Sequence, residues 1–372
     1  MVNACFHGFY RGKRVLVTGH TGFKGSWLSE WLIKLGAKVT GVALSPPTNP
    51  ALFDQLGLAT RMDHRVMDIR DAQAIATTIA EIQPEVVLHL AAQPLVRLSY
   101  QIPLETYATN VMGTAHILDA LRALKKPCAA VMVTTDKCYE NHEWLHGYRE
   151  EDSMGGHDPY SSSKGMAELL IAAYRRSYFS SPDSPVRIAS ARAGNVIGGG
   201  DWAMDRIVPD CMRNLASGEA VPVRNRTATR PWQHVLEPLS GYLWLAAQLA
   251  DKGAEKAALA GGFNFGPELT SNQTVATFVE EVLRHWPGTW VDRSDPKAPH
   301  EAGKLNLSTD KAFHLLDWRP VWNFQTTLQL TTEWYRKVHF KESTPCQLTQ
   351  EHIARYETNA VSQRLVWSQP LN

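Results

Sequence analysis

A tyrosine and a lysine that could exchange a proton with a substrate stand four residues apart in the segment HDPYSSSKGMAELL. Asp158 and Pro159 fit the N-cap and first position of a helix, which predicts Tyr160 and Lys164 on one face of its first turns. A lysine ammonium beside a phenol favours the phenolate and lowers the phenol pKa from its usual value of about 10. Tyr160 is therefore a candidate base for an alcohol proton, although the spacing alone also fits a surface Tyr and Lys.

A second acid and base stand side by side in the segment TTDKCYE at residues 134–140. The apolar run before them predicts a buried strand, so Asp136 and Lys137 would follow a strand end. Burial favours the neutral form of both side chains, and neutral Asp136 could donate a proton while neutral Lys137 accepted one. The alternative without chemistry is a salt bridge at the strand end.

The segment GHTGFKG carries Gly19, Gly22 and Gly25 at the spacing of a nucleotide-binding loop. It lies between the apolar run 14–19 and an amphipathic helical pattern at 26–36, which is the context that such a loop requires. Glycines there permit a tight turn and let backbone N–H groups approach a pyrophosphate. The alternative is an ordinary tight turn between a strand and a helix.

The residue that reads the cofactor ribose is expected at the end of the second strand, where an acidic residue indicates NAD and a basic one NADP. The sequence has ALSPPT at that place. Ser45 could hydrogen-bond a ribose hydroxyl, and the segment offers no Arg or Lys for a 2′-phosphate. This favours NAD.

The elements around these residues alternate between strands and helices. Apolar runs at 14–19, 38–44, 65–69, 85–92, 129–136 and 186–192 are continuous enough for strands covered on both faces. The predicted fold is α/β, a Rossmann-like doubly wound parallel sheet with a second, smaller α/β substrate-binding lobe. We assign residues 1–191 and 232–265 to the NAD-binding domain, 192–231 and 266–345 to the sugar-nucleotide lobe, and 346–372 to an extended C-terminal tail.

Composition excludes several function classes. The 372 residues include 38 basic and 37 acidic side chains, a balance that argues against a nucleic-acid or membrane partner. No apolar run approaches the length of about 20 residues that a membrane helix needs, and the first residues lack a signal-peptide core, so we expect a cytoplasmic protein. Scattered cysteines and the absence of HExxH predict reduced thiols and no metal site.

The chain resembles the extended short-chain dehydrogenase/reductase family from about residue 11 to at least 325. The resemblance rests on TGHTGFKG, LAAQ, NVMGT, TTD, YSSSK and RAGNVIGGGDW. It implies catalytic roles for Thr135, Tyr160 and Lys164 on a sugar hydroxyl beside the nicotinamide of NAD. It implies cofactor contacts from Tyr160 and Lys164 and from Gly19, Gly22, Phe23, Lys24, Gly25, Ser45, Asp68, Ile69, Leu90, Ala91 and Ala92.

Within this family the 4-epimerases need one proton acceptor, whereas the sugar-nucleotide 4,6-dehydratases need two more proton-transfer groups. After oxidation at C4 a base removes the C5 proton, an acid protonates the departing C6 hydroxyl, and the hydride returns to C6. The resemblance implies Asp136 as the acid and Lys137 as the C5 base, where the commoner pattern has Glu. A charged Lys137 that stabilises the enolate is the alternative. Lysine there, together with GGGDWAMDRIVPD and ALSPPT, resembles the CDP-glucose 4,6-dehydratase subfamily.

The substrate lobe should supply cations and amide donors for a diphosphate. The resemblance implies substrate contacts from Asn195, Arg206, Arg230 and His300, and it alone points to CDP-glucose. It also implies a homodimer through the helices around 105–124 and after Tyr160. A 4-epimerase is the second hypothesis, which Asp136 and Lys137 oppose. A non-catalytic NAD-sensing regulator is the third hypothesis. It would keep the glycine loop but would have no reason to keep Tyr160 and Lys164, so these two residues oppose it.

Overall fold

The computed structural model describes residues 5–251, 258–294 and 303–370. Its centre is a parallel sheet of seven strands in the order β11-β6-β5-β4-β1-β2-β3. These strands are β1 Arg14–Thr18, β2 Lys38–Ala43, β3 Asp63–Val66, β4 Val86–His89, β5 Cys128–Val133, β6 Val186–Arg192 and β11 Gly262–Asn264. The predicted doubly wound parallel sheet is confirmed.

Successive side chains of each strand point to opposite faces, so each face has its own apolar core. In β1, Val15 and Val17 belong to one core and Leu16 to the other. The first core packs against α1 Phe23–Lys34 and α9 Leu236–Leu249, and the second against α3 Ala72–Ile82, α6 Gly113–Leu121 and α7 Pro159–Tyr178. The remaining helices are α2 Leu52–Gln55, α4 Val96–Gln101, α5 Pro103–Tyr107, α8 Ile207–Ala216, α10 Val275–His285, α11 Asp310–Leu316, α12 Phe324–His339 and α13 Pro345–Ser362.

Beyond β6, the strands other than β11 are short and lie in pairs. β7 Val196–Ile197 pairs with β10 Gln233–His234, and β9 Thr229–Pro231 pairs with β12 Asn272–Thr274. β8 Val221–Val223 pairs with β13 Trp290–Asp292. All these strands except β10, together with α8 and α10, lie in the residues predicted for the smaller lobe, and the domain boundaries stay a prediction.

The C-terminal residues do not form the extended tail that the sequence suggested. Pro345–Ser362 form α13, which a capping box at Thr344 and Gln347 begins. Ile353, Tyr356 and Ala360 are buried in the first core. The segment is helical because its apolar residues recur at helical spacing and bury one face. Among the described residues, no helix is long and apolar enough to cross a membrane.

The strands end earlier than the apolar runs suggested. β3 ends at Val66, so Asp68 and Ile69 lie in the following turn, and β4 ends at His89, before Leu90. β5 ends at Val133, and Asp136–Cys138 form a short helical turn beyond it. The predicted site residues therefore lie just past the carboxyl ends of the strands, where open α/β sheets bind ligands.

Candidate active site

One cleft of about 940 Å³ lies along the carboxyl edge of the sheet, between β1 and β4 on one side and the paired short strands on the other. Its volume suits a large ligand. Every described residue that the sequence predicted for cofactor, substrate or catalysis lines it, namely Gly19, Gly22, Phe23, Lys24, Gly25, Ser45, Asp68, Ile69, Leu90, Ala91, Ala92, Thr135, Asp136, Lys137, Tyr160, Lys164, Asn195, Arg206 and Arg230. His300 lies outside the described residues.

The glycine loop forms a close cradle between β1 and α1. Gly19 has φ +75°, and a Cβ there would lie 2.7 Å from the backbone nitrogen of Ala91. A Cβ on Gly25 would overlap the carbonyl oxygen of Gly19. Gly22 precedes the first turn of α1, so this helix directs its N-terminus into the cleft. Backbone N–H groups at such a terminus attract phosphate.

Lys24 adds a positive charge that sequence analysis considered only as part of the loop. The side chain is half-buried. Burial, Arg206 and Lys164 lower its pKa and Asp136 raises it, which together give a value of about 8. Lys24, Lys164 and Arg206 thus bring three cations to one cleft. A polyphosphate ligand would compensate this charge.

Asp68 lies in the turn after β3, where Arg70, two residues further on, holds its carboxylate. Arg70 donates to Asp68 Oδ2 through Nε at 2.8 Å and through Nη2 at 2.6 Å, which lowers the pKa of Asp68. Ile69 is buried against Gly113, and Ser45 lies across the same end of the cleft. Arg70 also lines the cleft. Sequence reasoning looked for a cation at the end of the second strand and missed Arg70, because it follows the third strand.

Asp136 is the most enclosed carboxyl of the cleft, with 1% of its side chain exposed. Thr135 Oγ1 donates to its Oδ1 at 2.9 Å, and Asn195 Nδ2 donates to its Oδ2 at 3.2 Å. Lys137 Nζ lies 4.0 Å from Oδ1, too far for a hydrogen bond but close enough for a charge interaction. An acid and a base thus lie together at the sheet edge, as the strand-end prediction required.

Tyr160 and Lys164 lie on the first turns of α7, as their spacing predicted. Asp158 caps the helix by accepting from Ser161 N at 3.0 Å. Burial lowers the pKa of Lys164 to about 8 and raises that of Tyr160 to about 12, while Thr135 and Arg206 lower the Tyr160 value. The predicted lowering of the phenol pKa is therefore wrong for the chain itself, because desolvation outweighs the nearby cations.

A buried network anchors α7 to the strand that precedes Thr135. Glu168 accepts from Arg192 at 2.9 Å and from Ser190 at 2.7 Å, and it also accepts from Thr134. Breaking one partner of such a buried pair leaves an uncompensated charge. Glu168 stands one turn after Lys164, so the network fixes the lysine relative to β5 and β6. Sequence reasoning missed it because its members are far apart in the chain.

The opposite wall of the cleft is built from loops. Arg206 donates to Asp201 Oδ2 at 2.9 Å, and Arg230, with 8% exposure, donates to the carbonyl oxygens of Thr229 and Gly303. Asn195 adopts φ +52°, and its side-chain amide donates a hydrogen bond to Asp136. The amide that the resemblance assigned to a phosphate thus also positions the candidate acid.

The buried cysteines near this site are packing residues: Cys211 lines the cleft, and burial raises the pKa of its thiol above the usual range. Cys138 packs against Tyr139, Tyr148 and Leu305, and burial raises its pKa far above the usual range. A buried thiol of this kind is a packing residue. Within the parts of the chain that the structure describes, no group of three or more His, Cys, Asp or Glu is placed to hold a metal ion.

Comparisons with known proteins agree with the fold and the motifs. Residues 16–331 match the model of the GDP-mannose 4,6 dehydratase family. The CDP-glucose 4,6-dehydratase of Salmonella typhimurium is 49% identical over 333 residues, which are 88% of this chain and 92% of that protein. A dTDP-glucose 4,6-dehydratase of Shigella flexneri is 26% identical over 348 residues, which are 87% of this chain and 92% of that protein.

Solved structures share the fold at lower identity. A dTDP-glucose 4,6-dehydratase from Streptomyces venezuelae, solved with NAD and TYD bound, has a TM-score of 0.73 at 24% identity and covers 87% of this chain and 97% of its own. A UDP-glucose 4-epimerase from Stenotrophomonas maltophila has a TM-score of 0.75 at 21% identity, over 88% and 99% of the two chains. The chain therefore belongs to the GDP-mannose 4,6 dehydratase family of extended short-chain dehydrogenase/reductases, as its motifs indicated.

Proposed function

We propose that this protein is an NAD-dependent CDP-glucose 4,6-dehydratase, a hydro-lyase that converts CDP-D-glucose into CDP-4-keto-6-deoxy-D-glucose for deoxysugar biosynthesis. One observation carries the proposal. The buried Asp136 and its neighbour Lys137 lie in the same cleft as Tyr160 and Lys164, which supplies proton-transfer groups beyond those an epimerase needs. The relative from Salmonella typhimurium, at 49% identity, bears the same activity in its name.

The described residues fit NAD. The glycine cradle, the N-terminus of α1 and Lys24 would hold its pyrophosphate, while Ser45, Asp68 and Ile69, which line the same cleft, would contact its adenosine. Leu90, Ala91 and Ala92 would follow its ribose and phosphates. When bound, NAD accepts a hydride from C4 of the sugar and returns one to C6.

Tyr160 takes the proton of the C4 hydroxyl in this proposal. The Tyr160 pKa of about 12 already includes the lowering by Thr135 and Arg206. In this proposal Lys164, four residues further along the same helix, favours the phenolate when substrate and cofactor are bound. Thr135 donates to Asp136 and so links the oxidation group to the elimination group.

Asp136 protonates the departing C6 hydroxyl, and Lys137 removes the C5 proton. The exposure of the lysine side chain, 20%, and its distance of 4.0 Å from Asp136 leave Nζ free to move toward a substrate. If the amine stays charged, it stabilises the enolate instead, and both roles place it beside C5. Arg206, Arg230, Asn195 and His300 would hold the diphosphate and nucleoside of the substrate.

We also infer a homodimer. α5 and α7 expose Leu104, Met166 and Leu169 at 83%, 47% and 59%, and Met112, directly before α6, is 52% exposed. Clustered exposed apolar side chains of this size mark an interaction surface. Light scattering of the purified protein would give twice the mass of the 41.5 kDa chain, and a mass equal to one chain would contradict the dimer. A cytoplasmic location stays a prediction.

NMR of the product formed from CDP-glucose in deuterated water tests the proposal. We expect a 4-keto-6-deoxy sugar with deuterium at C5, because the C5 proton leaves during elimination. The second candidate, a 4-epimerase, is favoured by the shared fold of the Stenotrophomonas enzyme and would yield a C4 epimer without deuterium. No turnover of any nucleotide sugar, together with tight NAD binding, would point to a regulator.

A further inference from the structure

A small crevice separate from the large cleft also reaches Asp136. Its volume of about 10 Å³ is close to the space of a single water molecule. It begins at the exposed residues Glu268 and Leu269 on the surface and ends at Asp136. Its walls are Asp136, Gly194, Pro231, Gln233, Gly266, Pro267, Glu268, Leu269, Asn272, Asn306 and Leu307.

Three amide side chains of this crevice carry buried oxygens that accept no hydrogen bond from the described residues, namely Gln233 Oε1, Asn272 Oδ1 and Asn306 Oδ1. The Gln233 orientation is settled by its nitrogen, which donates to the carbonyl oxygens of Gly194 at 3.0 Å and Phe265 at 3.2 Å. A buried acceptor without a donor costs about 1–3 kcal/mol. Water is the donor that fits a space of this size.

Asp136 separates the crevice from the cleft, since its side chain lines both. Gly194 beside it also lines both, and a Cβ at that position would overlap the carboxyl group of Asp136. Thr135 and Asn195 hold the two carboxyl oxygens from the cleft side. Glycine at 194 therefore leaves room for the Asp136 carboxyl at the place where the crevice and the cleft meet.

The proposed dehydration makes a path to Asp136 necessary, and the inference rests on that function. In each turnover the Asp136 carboxylic acid gives its proton to the C6 hydroxyl oxygen while the C6–O bond breaks, which releases water and leaves a carboxylate. The C5 base exchanges its proton with solvent and returns one proton to C5, and Tyr160 releases to solvent the proton that it took from the C4 hydroxyl. Asp136 must regain one proton before the next turnover, and the nucleotide sugar covers its cleft side for as long as it stays bound.

We propose that the crevice holds water that returns this proton to Asp136 from solvent. Water bound by Gln233, Asn272 and Asn306 donates a proton to the carboxylate and is itself reprotonated from bulk solvent at Glu268 and Leu269. No oxidant or further reactant is needed. The crevice residues then act only by positioning this water and touch neither the sugar nor the cofactor.

Two substitutions at one position test the path. Asn306→Leu keeps a similar volume but removes the polar atoms, whereas Asn306→Ser keeps a hydroxyl and leaves more room for water. Rapid chemical quench with CDP-glucose and NAD would measure keto sugar formed in the first turnover and in later ones. We expect Asn306→Leu to complete its first turnover at the wild-type rate and to slow roughly tenfold in later turnovers. Asn306→Ser should match the wild type in both.

Equal rates of first and later turnovers in Asn306→Leu would overturn the inference. A slow first turnover in both variants would do so too, because it would show a structural effect on the site rather than a proton path. The proposed function fails separately, if the wild-type protein itself forms no keto sugar. A solvent isotope effect that grows only in the later turnovers of Asn306→Leu would support the path further.

Discussion

The two walls of the cleft are built differently. The sheet wall carries Thr135, Asp136, Tyr160 and Lys164 on strand ends and on the first turns of a long helix, behind which Glu168 ties helix and strands together. The loop wall carries Arg206 directly before α8 and Arg230 within β9, a strand of only three residues. Side chains held by long elements keep their geometry better than those held by loops.

This difference predicts a division of labour. The sheet wall has groups that are nearly fully buried and hydrogen-bonded, which suits proton transfers that require fixed distances. On the loop wall, Arg206 and Arg224 pair with nearby aspartates while about a third or more of each arginine side chain is exposed. Such pairs add little stability and can exchange partners for a phosphate. Substitutions in the first wall should change rates, and those in the second should change binding.

Tyr160→Phe should give the largest effect, a loss of C4 oxidation of roughly 10³ to 10⁴-fold, since the only phenol oxygen at the sugar hydroxyl is removed. The measurement is the single-turnover appearance of reduced nicotinamide. Tyr178→Phe on the same helix is the control, because Tyr178 is 51% exposed and outside the cleft lining. Oxidation at more than about a tenth of the wild-type rate would break the assignment of the sheet wall.

Asp136→Asn should spare oxidation and slow elimination by roughly 10² to 10³-fold, because an amide has the shape of the carboxyl and can still accept one of the two hydrogen bonds from Thr135 and Asn195 but has no acidic proton. Reduced nicotinamide would then accumulate on the enzyme while keto sugar formed slowly. Quench-flow product analysis beside the absorbance trace separates the two steps. Full dehydration by this variant would show that another group is the acid.

Arg230→Met should raise KM for the nucleotide sugar by roughly 10 to 100-fold and leave kcat within about threefold, as loss of one charge-assisted contact would. Arg226→Met is the matched control, because Arg226 lies outside the cleft lining and pairs with Asp292 at the surface. A fall in kcat with an unchanged KM would contradict the binding role of the loop wall.

Lys137→Glu restores the commoner family pattern and distinguishes the two proposed roles of the lysine, C5 base and charged enolate stabiliser. If the amine is the C5 base, the carboxylate should replace it at a cost of about tenfold or less in C5 deuterium exchange. If the amine is a charged enolate stabiliser, the reversed charge should block the exchange. Exchange followed by NMR in deuterated water, with Lys125→Glu on the surface as control, separates these outcomes.

Glu237→Gln concerns stability and should have the smallest effect on activity. The carboxyl is fully buried and accepts from Val321 N, Trp322 N and Tyr356 Oη, yet burial raises its pKa from 4.5 to about 7. The folded state thus binds its proton more tightly than the unfolded state. This contribution is complete below about pH 4.5 and is lost as pH rises through about 7.

Compared with the glutamine variant, the wild type should therefore lose stability between about pH 5 and pH 8, by an amount of the order of a few kcal/mol. Denaturant unfolding of both proteins at the two pH values measures this. A difference between them that does not change with pH would contradict the raised pKa. Activity at neutral pH should differ by less than about twofold, since Glu237 lies outside the cleft lining.

Local patterns were enough for much of the site. The glycine cradle, the shared face of Tyr160 and Lys164, and the strand-end position of Asp136 each depend on residues that are neighbours in sequence. One error occurred where distant residues decide: the C-terminal tail became α13 because its apolar face packs against the first core. The other is local, since β3 ends before Asp68, whose carboxylate accepts from Arg70 two residues further on.

The sequence by itself determined the family, the fold class and the list of reactive groups, because residue types, spacing and periodicity carry that information. Only the tertiary structure decided how those groups are charged, which residues contact them and how water reaches them. Desolvation, not Lys164, dominates the pKa of Tyr160, and Asn195 meets Asp136 across 59 positions of chain. The crevice behind Asp136 is likewise made by segments far apart in sequence. Burial and long-range contact depend on the packed arrangement of the whole chain, which no local pattern encodes.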